Sequence, residues 1–240
     1  MTIDWAATQV YNTIMCVAAG VGLLLILRFL KRLRQNKIGQ LEGWAMGFGV
    51  LGFILVLTGA HMSLTWPLAE IGFPFDDIIF GEPSLAFGVL LFAAAILLWR
   101  KSNVYMKQGI NPKDRKAVSE QLKGDLPDLM KPMSYFSAAM GLALIAIGIA
   151  GVTYQLFAAP PQEPISGAFA EYPMVEAIFI SALYALTGIG AFLFTFTLKL
   201  KPAKWIIRVS YSCMYVSGFL LTAFGIMNYF THIGLIVNTM

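Results

Sequence analysis

The stretch VYNTIMCVAAGVGLLLILRFLKRLRQNK, residues 10–37, decides the fold. Its apolar part, residues 10–29, is roughly 20 residues long, and a helix rising about 1.5 Å per residue then crosses about 30 Å of hydrocarbon. Arg28, Lys31, Arg32, Arg34 and Lys37 close it, a basic cluster of the kind that stays on the cytoplasmic side of a membrane span. Asp4 precedes the run and no basic residue does, so it reads as an uncleaved anchor inserted with its N-terminal end outward rather than as a secretory signal peptide.

Five further runs repeat the pattern, at residues 44–64, 84–99, 135–157, 175–198 and 205–230. The third is the shortest, and its Ala93, Ala94 and Ala95 suit a place inside a bundle. All 17 Lys and Arg fall in three clusters, after the first span, between spans three and four, and between spans five and six. The opposite side carries Asp4, Glu70, Asp76, Asp77, Glu82, Glu163, Glu171 and Glu176. An even number of spans satisfies this partition. The expected architecture is an all-α polytopic bundle of six transmembrane helices in a bacterial plasma membrane, with basic loops cytoplasmic and both termini outside. Hydrophobic residues make up 58% of the chain and charged ones 12%, a balance suited to a bilayer. The excess of four positive charges follows from this placement and does not imply a nucleic-acid partner.

Trp44, Trp99 and Trp205 mark basic-side span ends, and Trp5 and Trp66 acidic-side ends, as amphipathic rings at headgroup depth do. The loop at 102–131 reads as the one substantial soluble piece. A short surface helix is expected in it, capped by Asn111, opened by Pro112 and ended by Gly124, with its basic face toward anionic lipid headgroups. All 11 prolines fall in loops or at span ends, and no Asp, Glu, Lys or Arg falls at mid-span. Small residues recur at helix-packing spacing, as Gly43 and Gly47, Ala45 and Gly49, Ser137 and Gly141.

The hairpins of spans two and three and of spans four and five share features. Thr58 and Gly59 with FGEP at 80–83 match Ala150 and Gly151 with FAEYP at 169–173, consistent with duplication or with chance. Glu82 and Glu171 then stand at the outer start of a returning helix, where a carboxylate favours the positive helix end or contacts lipid or a partner.

FGEPSLAFG at 80–88, following TGAHMSLTWPL at 58–68, resembles a bacterial and archaeal membrane-protein family known as domain of unknown function 981. The resemblance implies a membrane location and carries no catalytic residues with it.

Chemistry-bearing residues are few. His61 and His232, at the outer ends of spans two and six, are the only histidines and the candidate ligands for a haem or a metal. Asp76, Asp77 and Glu70 could attract cations or simply be solvated. Ser210, Tyr211, Ser212, Tyr215 and Ser217 gather on span six, where they either bond between helices or line a lipid or quinone groove. Cys16 and Cys213 lie at different depths, too far apart for a disulfide. A thiol relay, an intramembrane serine dyad and a phosphate loop all lack their residues.

These features favour a non-catalytic accessory or structural subunit of a larger membrane assembly, such as a respiratory complex, with membrane lipids and other subunits as partners. The alternatives are a transporter or channel for a small or lipophilic solute, and a haem- or quinone-binding redox protein. A polar cavity reaching mid-membrane between spans two, three and six would favour transport.

Overall fold

The computed structural model describes residues 11–65, 75–199 and 201–240. Trp5, Trp66, Asp4, Glu70, Pro67 and Pro74, which entered the sequence reading, lie outside these residues.

Six helices are described: α1 (Asn12–Arg34), α2 (Leu41–Leu64), α3 (Glu82–Lys107), α4 (Arg115–Tyr154), α5 (Pro173–Thr197) and α6 (Lys204–Thr239). All are long and apolar enough to cross a membrane. Helices answer the absence of water in hydrocarbon, because every backbone N–H finds its acceptor within the same segment. There is no strand among the described residues. A π-helical turn, Asp77–Gly81, leads into α3, so the third span is not the short one that hydropathy suggested.

The helices form three tight pairs, α2 with α3, α4 with α5, and α1 with α6. Backbone touches backbone in each. A Cβ added at Gly52 would stand 2.7 Å from Phe92 N, and one at Gly59 2.5 Å from Leu85 N. In the second pair, a Cβ at Gly141 would meet Gly188 O and Phe192 N at 2.7 Å. In the third, one at Gly20 would be 2.5 Å from Thr222 N. Close approach replaces the hydrophobic drive that helices already in lipid lack.

The two hairpins share a register. Gly52 and Gly59 face Gly88 and Gly81, and Gly141 and Gly148 face Gly188 and Ser181, each pair seven residues apart on its helix. In this register Gly81 corresponds to Ser181, which corrects the alignment of FGEP with FAEYP. Glu82 and Glu171 are therefore not equivalent, and Glu171 precedes α5 altogether. Of the small residues singled out by spacing, Gly141 lies in a seam and Ser137 donates to Ala191 O at 3.5 Å. Gly47 and Gly49 meet side chains, and Gly43 faces open space.

The pairs close into a ring in the order α3, α2, α1, α6, α5, α4, with α3 and α4 meeting only sparsely. At the basic end, Lys101 and Tyr105 of α3 hold Asp125 of α4, at 2.7 and 2.8 Å. Toward the acidic end the link is indirect: Tyr184 of α5 donates to Ile79 O, in the turn before α3.

The region 102–131 differs from expectation. α3 continues to Lys107 and α4 begins at Arg115, so the loop shrinks to a turn at 108–114. Asp114, not Asn111, caps α4 by accepting from Lys116 N and Ala117 N. Gly124 ends nothing, and Pro127 and Pro132 lie inside the 40-residue helix. The prolines leave Lys123 O and Asp128 O without their usual N–H. One turn further on, Ser134 donates to Lys131 O and Thr195 of α5 donates to Ser134 O. The start of α4 is no surface helix either. Val118, Ser119 and Leu122 are buried, and Ser119 both accepts from Ile38 N and donates to Ile38 O in the α1–α2 turn.

Candidate functional site: a cavity between the helices

A cavity of about 600 Å³ runs inside the ring. Volumes of roughly 300–1,000 Å³ are typical of ligand sites. Its lining on α1 extends from Asn12 to Arg34, 22 residues, or about 33 Å of helix at 1.5 Å per residue, so it spans the hydrocarbon thickness. Every helix contributes. On α5 the lining includes a stripe, Glu176, Ile180, Tyr184, Thr187, Ala191 and Phe194, spaced three and four residues apart as one helix face requires. The middle of the cavity is lined by apolar side chains and by Thr187, whose hydroxyl is spent on Leu183 O; charged groups gather at its two ends.

Arg34 and Lys123 mark the basic end. The ammonium of Lys123 is committed there, donating to Asn36 Oδ1 at 2.6 Å and Arg34 O at 3.2 Å.

The acidic end is built by the α4–α5 connection folding over the ring. Phe157 stacks on Tyr184 with centroids 5.5 Å apart, and Phe80 packs against the same ring. Behind this aromatic cluster three carboxyl groups line the cavity. Glu176, in the first turn of α5, accepts from Ala159 N at 2.7 Å. Glu163 approaches His232 Nε2 to 3.7 Å. Asp76 precedes the π-helical turn and is only 9% exposed, as is Glu163. Burial pushes Asp76 up to about 7, with Asp77 adding to the rise, and burial raises Glu163, partly offset by the Thr231 hydroxyl. Asn228, one helical turn deeper than His232, is 6% exposed and lines the same space.

The family whose model matches this chain is described as a protein of unknown function, DUF981, and the match covers residues 8–234. The chain belongs to that family. No curated protein and no solved structure matches it.

In this DUF981 protein the residues singled out from sequence scatter. His232 lines the cavity, whereas His61 is exposed on α2, accepting from or donating to Tyr11 Oη at 2.8 Å. α1 stands between α2 and α6; His61 bonds with Tyr11 at one side of it, and His232 stands beside Glu163 at the other. Glu82 and Glu171 are exposed and line no part of the cavity. Ser210 bonds between helices, donating to Gly190 O at 2.9 Å, while Ser217 bonds within α6 to Cys213 O. Tyr211 and Tyr215 stack on the exposed face of α6, centroids 6.2 Å apart. Cys16 and Cys213 are both free thiols.

The residues that sequence reasoning passed over are Asp76, Glu163, Glu176 and Asn228. Sequence leaves Asp76 as either a cation-attracting or a solvated loop acid, and its burial to 9% exposure speaks against the solvated reading. Asn228 carried the plainest signal, a lone amide in the apolar run of span six, where an unpaired polar group is costly.

Proposed function

We propose that this protein binds a lipophilic amphiphile within its helical ring and serves its passage or storage in the membrane. The carrying observation is the bilayer-long cavity with apolar walls and polar ends. An apolar interior of that length matches a hydrocarbon or isoprenoid chain better than a hydrated solute, because no charged group lines its middle to replace a water shell. This reading stands ahead of an accessory subunit, for which a sealed interior would suffice, and ahead of a haem site, for which the histidines are apart.

The proposed setting is a bacterial plasma membrane with the basic end cytoplasmic and both termini outside. The partition of all 17 basic residues supports it. A C-terminal reporter active only outside the cytoplasm should give signal, and signal from a cytoplasm-only reporter at the same position would reverse the orientation.

The binding test is direct. Protein purified in mild detergent is extracted with organic solvent, and the extract is analysed by mass spectrometry against an unrelated six-span control. A lipophile retained near one per chain is expected, and Ala94→Phe with Ala191→Phe, which fill the middle of the cavity, should remove most of it. Equal lipid content in wild type, filled variant and control would end the proposal.

A further inference from the structure

The acidic end of the cavity has an imbalance that names the chemistry of its occupant. Its acceptors outnumber its donors. Asp76, Glu163 and Glu176 contribute carboxyl oxygens, and Asn228 Oδ1 and Asn12 Oδ1 are buried without a hydrogen-bond partner. Donors nearby are fewer: Tyr184 Oη is spent on Ile79 O, Ala159 N and the Ser166 hydroxyl serve Glu176, and the Thr231 hydroxyl and His232 Nε2 stand beside Glu163. Of the basic side chains lining the cavity, Arg34 and Lys123 stand at its other end, and the His232 imidazole, 3.7 Å from Glu163 Oε1, stands beside the carboxyl groups. A buried acceptor without a donor costs about 1–3 kcal/mol, and buried carboxylates normally have a cation beside them.

Asn228 gives the independent sign that something enters. It is more than nine-tenths buried, it faces the cavity, and it lies on the same face of α6 as His232, one turn toward the membrane centre. His232, one turn outward, stands 3.7 Å from Glu163 Oε1, so Asn228 and the carboxyl groups belong to the same end of the cavity.

We propose that the occupant is a lipophilic primary amine, its ammonium held by Glu163, Glu176 and Asn228 at the acidic end and its chain running down the apolar cavity. An ammonium supplies three donors and a full positive charge, at an end where three carboxyl groups line the cavity with one imidazole beside them. This inference rests on the amphiphile-binding reading and narrows it to one head group. Burial raises the proton affinity of Glu163 against the opposing effect of the Thr231 hydroxyl, and an arriving ammonium favours the ionised form.

The test compares head groups on one chain. Hexadecylamine, hexadecanol and hexadecanoate are titrated at pH 7 into the detergent-purified full chain, and occupancy is read by native mass spectrometry. The amine should bind at least tenfold more tightly than the alcohol, and the carboxylate least. Glu163→Gln combined with Glu176→Gln should remove that tenfold preference, read as the ratio of amine to hexadecanol affinity within the same variant. Asn228→Leu is the second variant and should weaken the amine more than the alcohol. Equal binding of all three, or a preference for the carboxylate, would overturn the amine assignment and leave the amphiphile reading standing. Binding of none would overturn both. Displacement of the amine by micromolar calcium chloride, or by methylammonium chloride lacking a chain, would overturn it too, by showing a site for free cations.

Discussion

Asp76 stands one residue before the π-helical turn, buried beside Asp77. Its folded pKa of about 7 lies above the ordinary value of 3.8, so the folded state holds a proton that the unfolded state gives up. The stabilising effect is full below about pH 4 and is lost as pH rises toward 7. Melting temperature in detergent should therefore fall over that window, and Asp76→Asn, which stays neutral, should flatten part of the slope. A variant whose profile runs parallel to wild type would place the slope elsewhere. Asp77 adds a second unmet demand, since its Oδ1 is buried without a partner. Both groups sit where the helix widens into a π turn, a distortion that recurs at functional sites. Residue identity alone did not reveal this, because two adjacent acids after a loop look solvated until the α4–α5 connection is seen to cover the ring.

At the scale of elements, the spans were legible and their ends were not. Apolar runs as long as residues 10–29 have one stable form in hydrocarbon, and the structure keeps all six. Helix continuation past Trp99 to Lys107 and from Arg115 into span four depends on contacts distant in sequence, such as Ser119 with Ile38 and Tyr105 with Asp125. Hydropathy does not register them. The glycine seams were half legible: spacing found Gly141 but chose Gly43 over Gly52. The difference predicts opposite outcomes. Gly141→Leu should separate α4 from α5 and cost about 1–3 kcal/mol or more, read as a lower melting temperature, because backbone rather than a movable side chain stands in the way. Gly43→Ala meets nothing within 4 Å and should be neutral or stabilising by up to about 1 kcal/mol through helix propensity. Equal effects would mean that the close seams do not hold the pairs together.

The whole molecule is three glycine-sealed pairs arranged so that their packing is tight within pairs and looser across the ring. The cavity is the outcome, and no single span encodes it, since it lies where side chains from different helices fail to meet. Sequence could indicate only that the interior would be nonpolar. That expectation holds along the middle, while the three carboxyl groups and Asn228 collect at one end.

The sparse contact between α3 and α4 bears on how such a cavity fills. A molecule reaching it there comes from the surrounding lipid and never has to dissolve in water. Occupancy then follows the molecule's mole fraction in the bilayer, so that even a weak site fills when the ligand partitions strongly. In nanodiscs mixed with empty lipid vesicles, raising the vesicle amount at constant total ligand should dilute the site, and the apparent aqueous dissociation constant should rise in proportion to added lipid. An affinity for this protein is properly a competition with its solvent, counted in lipids per ligand.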